Sequence, residues 1–182
     1  ARNISALGAE PLAVTNCLNF GTPTDLDVYY QLHYCLQGMG KACLALGTPI
    51  TGGNASLYNE GAYGSIFPTP TIGMVGLISD VSQAMTPAFK AAGHAIYLLG
   101  ETQEEIDGSE FARIFYNTLG KNCPDIDLEF EAKIQKAVRT LIARKKIQSA
   151  DDLSLGGLAV ALAKGAIKGG LGFEVNLDSA LS

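Results

Sequence analysis

Stretches of apolar residues separated by polar or glycine-rich breaks predict three strands in the first half of the chain. The segment 10–20 (EPLAVTNCLNF) is typical of a strand that ends in a polar edge from Asn16 to Asn19. A short strand within 48–59 is expected to open into a Gly-Gly-Asn loop. The segment 71–81 (TIGMVGLISDV) is mostly apolar and is predicted to form a strand.

A long helix is predicted between the first two strands, from Asp25 to Leu46. Its apolar residues recur at helical spacing, which favours one face packed on a sheet. Thr24 is the expected cap, and Gly47 is the expected stop.

Strand and helix patterns alternate in the second half of the chain. The segment 94–100 (HAIYLLG) predicts a buried strand, and Thr102 with Glu105 forms a capping box that predicts a helix directly after it. Further elements are expected as follows: a helix from Asp127 to about Lys145, a loop over 149–157, a helix over 158–167 and a strand over 173–177.

The change of pattern near residues 82–93 predicts a domain boundary. We expect an α/β (α+β) fold with one domain over 1–85 and a second over 86–182. Residues 1–8 are typical of a helix end that stops at Gly8, and the chain opens without Met, so we expect a fragment of a longer protein. Bare sheet edges would favour self-association of such a fragment.

Composition narrows the class of protein. Hydrophobic residues make up 47% of the 182 residues and charged residues 17%, which indicates a packed core. A net charge of −5 argues against a nucleic-acid partner, and no apolar stretch is long enough to predict a membrane span. Four cysteines without a C-x-x-C pair argue against zinc and favour reduced thiols in the cytoplasm.

The segment Gly52-Gly53-Asn54-Ala55-Ser56 is the main candidate for chemistry. Glycines let backbone N–H groups approach a phosphate closely, and Asn54 offers the neutral oxygen that Mg²⁺ accepts. Ser56 could donate to a second anionic group. The pattern is neither a Walker loop nor a dinucleotide fingerprint, so an ordinary hairpin turn is the alternative.

Other polar segments have both a ligand-binding and a structural interpretation. Asn16 and Asn19 could contact a base or ribose, or they could satisfy the backbone of a turn. The segments 108–110 and 149–157 could bind an anion, whereas Asp152 or Ser154 in the latter could cap a helix.

The pattern predicts no catalytic group. His33 and His94 are isolated from any Ser, Cys or Asp arrangement that would make a catalytic pair. Cys17 could act as a nucleophile only with a neighbouring base, and the sequence offers none.

Several segments, taken in order, resemble phosphoribosylformylglycinamidine synthase, the synthetase of purine biosynthesis in the aminoimidazole-ribonucleotide-synthetase-like superfamily. The resemblance rests on GAEPLAVTNCLNFGTP (8–23), ALGTPITGGNASLYNE (45–60), PTPTIGMVGLISD (68–80), IYLLGET (96–102), GSE (108–110) and SADDLSLGGLAVALA (149–163). It extends over the whole chain and implies part of the second half of such an enzyme. The implied fold is the end of an N-type domain followed by the start of a C-type domain.

The resemblance implies an ATP-dependent ligase that uses Mg²⁺. Such enzymes convert formylglycinamide ribonucleotide, ATP and glutamine-derived ammonia to formylglycinamidine ribonucleotide, ADP and phosphate. By position, Asn16 and Gly53 correspond to ATP contacts, Asn54 to a magnesium ligand and Ser56 to a substrate contact. Asn16 replaces an Asp that the family often has there, and the loop at 149–157 departs further from the family pattern.

The resemblance also implies which partners this chain has and that it lacks activity by itself. The catalytic histidines of the family lie in its other half, so we expect no catalytic residue in this chain and no activity from it alone. The implied partners are the remainder of the same polypeptide and a glutaminase domain or subunit that supplies ammonia. Two alternatives stay open: a non-catalytic nucleotide-binding module of the same superfamily, and a related kinase or synthetase acting on thiamine phosphate or forming selenophosphate.

Overall fold

The computed structural model describes residues 1–103 and 105–176, which fall into two compact units. One unit consists of residues 9–79 together with Ala1, and the other consists of Arg2–Gly8 with the described residues from Asp80 onward. No helix in the described ranges is long and apolar enough to cross a lipid bilayer.

The first unit contains a three-stranded sheet, one long helix and a small hairpin. Its strands are β1 (Glu10–Asn19), β2 (Ile50–Ser56) and β5 (Thr69–Leu77), its helix is α2 (Leu26–Leu46), and the hairpin pairs β3 (Glu60–Gly61) with β4 (Gly64–Ser65). The sheet has the order β2-β1-β5, with β1 parallel to β2 and antiparallel to β5. A parallel pair needs a crossover connection, and α2 provides it.

The predicted strands and long helix of this unit are confirmed, with two corrections. Asp25 rather than Thr24 caps α2, because the Asp25 carboxylate accepts a hydrogen bond from the backbone N–H of Asp27 at 2.8 Å. Gly47, with a φ of 66°, ends the helix as expected. The Gly-Gly-Asn segment is part of β2 rather than a loop, because β1 pairs with it residue by residue.

The core of the first unit includes Val14 of β1 and Val28 of α2, which are both buried. A cavity of about 330 Å³ lies between α2 and the sheet, beside Val14, Met39 and Ile72. Thr48 lines the same cavity and is fully buried, and its hydroxyl has no hydrogen-bond partner among the described residues.

The second unit is helical in its described part. It contains α1 (Arg2–Ala6), α3 (Glu110–Tyr116), α4 (Leu128–Ala143) and α5 (Gly157–Gly169), with a 3-10 turn at Val81–Gln83. Asp127 caps α4 as predicted, since its carboxylate accepts from the backbone N–H of Phe130 at 2.9 Å. The predicted helix after the 149–157 loop is also confirmed, and its C-cap is Gly170, whose φ is 65°.

Two predicted strands and one predicted helix start in this unit are wrong. Residues 94–100 and residues 173–176 form no strand, because no described strand of the unit lies beside them to complete their backbone hydrogen bonds; Leu177 lies outside the described residues. The helix expected after Thr102 begins only at Glu110. The Glu105 carboxylate accepts from the backbone N–H of Asp125 at 3.3 Å instead of closing a capping box.

The short helix α1 contacts α4 through polar side chains. Arg2 Nε donates to Glu131 Oε2 at 2.7 Å, and Arg2 Nη2 donates to the other carboxylate oxygen. Arg139 Nη1 donates to the hydroxyl of buried Ser5 at 2.8 Å. The hydrogen bonds from Arg2 are the main reason why the pKa of Glu131 lies below its usual value.

Candidate functional site

The two segments that carry the family resemblance most strongly lie on neighbouring parallel strands. The register of β1 and β2 pairs Asn16 with Gly53 and Asn19 with Ser56. β1 ends at Asn19 and β2 ends at Ser56. The carboxyl ends of parallel strands are the usual place for ligands in α/β sheets. The structure therefore brings all four sequence-predicted residues, Asn54 included, to one end of the sheet.

The two faces of the sheet separate these residues. Asn16 Nδ2 approaches the sulfur of Met39 on α2 at 3.4 Å, so this amide lies on the face that α2 covers. Side chains alternate between faces along a strand, and residues paired in register share a face. Asn54 and Ser56 therefore lie on the opposite face from Asn16.

Gly53 is held at a position that only glycine fits. Its φ is 155°, and a Cβ at this position would overlap both the side chain and the carbonyl oxygen of Asn16. The neighbouring Gly52 is different, because a Cβ there would lie 3.9 Å from Thr15 Oγ1, which is an ordinary contact. The close approach of β1 and β2 thus explains Gly53 sterically, independently of any ligand.

Asn54 is the residue whose chemistry best fits a magnesium ligand. Its side chain is exposed and makes no hydrogen bond within the described ranges, so its amide oxygen is available to a cation. Elsewhere in the described part of the chain, no group of three or more His, Cys, Asp or Glu side chains could hold a metal ion. One neutral oxygen suits a Mg²⁺ that takes its remaining ligands from phosphates and water.

Ser56 is held by a turn that sequence reasoning did not interpret. Asn59 Nδ2 donates to the carbonyl oxygens of Ser56 at 2.9 Å and Phe20 at 3.0 Å. The Asn59 amide also lies 3.1–3.3 Å from Ser56 Oγ. In the sequence, Asn59 stands out only as part of the SLYNE stretch (56–60) of the resemblance segment 45–60. In the structure it links that stretch to the end of β1.

Further hydrogen bonds join the same two segments. The backbone N–H of Tyr58, which has a left-handed φ of 61°, donates to the Gly21 carbonyl at 3.0 Å. Thr22 Oγ1 donates to the Glu60 carboxylate at 3.1 Å. The segments 15–22 and 52–60 thus form one connected structure at the end of the sheet.

In the described part of the chain, Cys17, His33 and His94 contact no side chain that would complete a catalytic pair. The Cys17 thiol is 3.8 Å from Asn19 Oδ1, an amide oxygen that does not serve as a base. The His33 ring contacts Tyr29 and Tyr34 on α2, which is a structural role. His94 is exposed in a segment without regular structure.

Of the two other candidate anion loops, the segment 108–110 has a structural explanation, and the capping predicted for 149–157 is wrong. In the segment 108–110, Ser109 Oγ caps α3 through the N–H of Ala112 at 3.1 Å, and Glu110 pairs with Arg113. Gly156, rather than Asp152 or Ser154, is the N-cap of α5, and it has a φ of 84° without a side-chain cap.

Comparison with known proteins identifies the family. A model of the AIR synthase related protein N-terminal domain matches residues 1–78, and a model of the C-terminal domain matches residues 91–182. The chain belongs to the AIR synthase related protein family. The resemblance to phosphoribosylformylglycinamidine synthase and the mixed α/β fold are confirmed with it.

Individual relatives of this AIR synthase related chain are similar over almost its whole length. It is 49% identical over 185 residues to the phosphoribosylformylglycinamidine synthase subunit PurL of Chlorobium luteolum, covering 98% of this chain and 24% of the relative. The solved structure of Thermotoga maritima PurL complexed with ATP matches 97% of this chain and 25% of its own, with 26% identity and a TM-score of 0.58. The same protein complexed with FGAR matches 98% of this chain and 24% of its own, with 26% identity and a TM-score of 0.56. The chain thus spans about a quarter of the length of the proteins it matches.

Proposed function

We propose that this chain is one part of an ATP-dependent carbon–nitrogen ligase of purine biosynthesis. The ligase converts formylglycinamide ribonucleotide, ATP and ammonia to formylglycinamidine ribonucleotide, ADP and phosphate. The observation that carries the proposal is the 49% identity to a PurL subunit across the chain, with both matched motifs paired on adjacent strands.

In this reaction the amide oxygen of the substrate is activated by phosphorylation and then displaced by ammonia. Bound Mg²⁺ would supply charge neutralisation at the phosphates. Asn54 holds the metal through its amide oxygen, Gly53 presents its backbone to ATP, and Ser56 contacts the ribonucleotide. Asn16 contacts ATP only if the nucleotide reaches the face of the sheet that α2 covers, since its amide lies against Met39.

The two domains of the proposal are an N-type domain over residues 1–85 and a C-type domain over residues 86–182. Family models that match 1–78 and 91–182 support this division. The two compact units also change over between Ser79 and Asp80, although Arg2–Gly8 belongs to the second unit. The partners are the remainder of the same polypeptide and a glutaminase domain or subunit that supplies ammonia, and the site of action is the cytoplasm.

The edges of the sheet in the first unit favour self-association, because β2 and β5 each pair only with β1 among the described strands. Light scattering over a range of concentrations would test this.

Substitution of Asn54 in the complete synthetase tests the function. Asn54→Ala is expected to lower amidation at least a hundredfold and to raise the Mg²⁺ concentration needed for half-maximal rate, because it removes a metal ligand. Asn122→Ala, at an exposed asparagine of the second unit, is the matched control and should leave both values unchanged. If Asn54→Ala lowers thermal stability without lowering the rate, the site is a non-catalytic nucleotide-binding module instead.

A second experiment tests whether this chain is active without the rest of the enzyme. The 182-residue chain by itself is expected to have no ATP-dependent amidation activity, because no catalytic group lies in it by motif. The assay supplies the ribonucleotide, ATP, Mg²⁺ and ammonium, and measures ADP release. Turnover above background from the isolated chain would contradict this part of the proposal.

A further inference from the structure

A second cavity of about 330 Å³ lies within the second unit, between two segments of the chain. One wall consists of residues 82–86 with Lys90, and the other consists of Ile142, Lys145, Ile147 and Gln148, at and beyond the end of α4. Its volume is at the lower end of the range for pockets that bind small molecules. None of these residues belongs to the candidate site of the first unit.

Backbone hydrogen bonds hold the walls of this cavity in place. The N–H of Met85 donates to the Leu7 carbonyl at 3.0 Å, and the N–H of Ala150 donates to the Thr86 carbonyl at 3.3 Å. The second of these bonds joins one wall to the chain that directly follows the other. A cavity whose walls are already fixed loses little conformational freedom when a ligand binds.

The lining of the cavity carries positive charge. Lys90 and Lys145 line it, and no Asp or Glu does so among the described residues. Neither lysine makes an ion pair in the part of the chain that the structure describes. Lys145 is also the middle one of three consecutive cations, residues 144–146, in a chain whose net charge is −5. Positive charge concentrated in a concave site attracts anions.

Hydrogen-bond donors accompany the two charges. Lys90 Nζ donates to Thr86 Oγ1 at 2.7 Å. An ammonium group can only donate, so the Thr86 hydroxyl is the acceptor in this bond and keeps its own hydrogen for another acceptor. The Lys90 ammonium retains two further N–H groups for the same purpose.

Asp80 is the carboxylate that offsets part of this charge. Its oxygens accept from the backbone N–H of Ser82 at 2.9 Å and from the side-chain amide of Gln83 at 3.1 Å. Hydrogen bonds from Ser82 are the main reason why the pKa of Asp80 lies below its usual value, and the charge of Lys145 is the smallest of the causes. Asp80 does not line the cavity, so both ammonium groups stay available to a ligand.

We propose that this cavity binds a phosphate group through Lys90, Lys145 and the Thr86 hydroxyl. A phosphate monoester carries a charge of about −1.5 to −2 at neutral pH and has three acceptor oxygens. Two ammonium groups and one hydroxyl match that charge and that number of acceptors, whereas a carboxylate offers a single charge. Apolar residues of the lining, Met85 and Ile147 among them, leave room for the organic part of a small phosphate ester.

Hydrogen exchange on the complete synthetase, followed by mass spectrometry, tests this site. The method assigns protection to segments of the chain, so its result does not depend on activity or on phosphate bound elsewhere in the enzyme. Inorganic phosphate, exchanged for chloride at constant ionic strength, is expected to slow exchange in residues 82–90 and 142–148. Unchanged exchange in both segments would overturn the proposal.

Variants of the two lysines test which groups bind the phosphate. Lys90→Gln and Lys145→Gly should each raise the phosphate concentration for half-maximal protection about tenfold, because each removes a charge-assisted hydrogen bond. Lys145 has a φ of 53°, a conformation that glycine adopts without strain, so Lys145→Gly is expected to fold. Lys136→Gln, at an exposed lysine of α4 outside the cavity, is the matched control and should change nothing. Equal weakening by all three substitutions would show general attraction to positive charge, and the proposal would fail.

Two further probes identify the chemistry of the ligand. Acetate, with its single charge, should protect the two segments less than phosphate does, and equal protection by acetate would contradict a phosphate site. Ribose 5-phosphate distinguishes the two sources of a phosphate group. Protection at lower concentrations than inorganic phosphate requires would assign the site to a phosphate ester, and otherwise free phosphate is the ligand.

Discussion

Asn16 of β1 lies directly beside Gly53 of β2, and a Cβ on Gly53 would overlap both the side chain and the carbonyl oxygen of Asn16. The two residues that the family resemblance assigns to ATP are therefore in steric contact with each other. Gly53 is required by the pairing of the strands, whatever ligand the site binds. A defect caused by substitution at position 53 must consequently be separated from a defect in binding.

Gly53→Ala is expected to lower the free energy of unfolding by at least about 2 kcal/mol, because it combines an unfavourable φ with overlap against backbone atoms. Urea unfolding of the chain measures the change. Gly52→Ala is the control, since a Cβ at Gly52 would make only a 3.9 Å contact with Thr15; its effect should stay within about 0.5 kcal/mol. Equal effects of the two substitutions would contradict the steric explanation.

Gly169 of α5 makes a second close backbone approach, to Phe89. A Cβ on Gly169 would lie 2.8 Å from the backbone nitrogen of Phe89 and 3.0 Å from its carbonyl carbon. Because backbone atoms cannot move aside as a side chain can, Gly169→Ala should destabilise the second unit by about 2 kcal/mol. Thermal unfolding compares it with Gly172→Ala, where a Cβ meets nothing within 4 Å among the described residues and the melting temperature should not change.

The Thr48 hydroxyl is buried beside the cavity between α2 and the sheet, without a partner in the described structure. Thr48→Val should raise the free energy of unfolding by about 1 kcal/mol, because it replaces an unsatisfied polar group by a methyl group of similar size. The Thr48 backbone N–H keeps its bond to the Cys43 carbonyl at 3.0 Å. Thr69→Val, which loses a 2.8 Å hydrogen bond to the Phe67 carbonyl, should shift the denaturant midpoint in the opposite direction.

The contact between Arg2 and Glu131 predicts a dependence of stability on pH. Hydrogen bonds from Arg2 lower the pKa of Glu131 below its usual value, so the folded state binds its proton less readily than the unfolded state. The stabilisation is present above the unfolded pKa of Glu131 and is lost as the pH falls below that value and through the lower folded pKa. Arg2 is 51% exposed, so solvent screening limits the contribution to below about 1 kcal/mol.

The free energy of unfolding, measured over a pH range that spans the usual pKa of a glutamate, tests this contribution of Glu131. Glu131→Gln should flatten the acid limb of the stability curve, since the substituted side chain no longer titrates. Glu129→Gln is the control, because this exposed carboxylate lies in the first turn of the same helix and makes no ion pair within the described residues, so the curve should stay unchanged. An unaltered acid limb in Glu131→Gln would assign the pH dependence to other carboxylates.

Elements with a strong local pattern were predicted correctly from the sequence. The long helix α2 has helical spacing and a glycine stop, and Asp127 is an N-cap residue directly before the helical pattern of α4. The prediction of a strand over 94–100 was wrong because a run of apolar residues indicates only that the chain tends to be extended. A strand also needs a neighbour, and the described residues provide none beside this segment.

The sequence by itself determined the family, the long helix and the identity of the candidate residues, because these depend on residue types and spacing along the chain. The tertiary structure decided on which face of the sheet each candidate residue lies. Pairing of β1 with β2 puts Asn16 under α2 and Asn54 and Ser56 on the opposite face. It also decided that Asn59 links the turn after β2 to the end of β1, since its amide donates to the carbonyl of Phe20, 39 residues away in the chain. Hydrogen bonds between distant segments have no signature in local pattern, which is why only the folded chain reveals them.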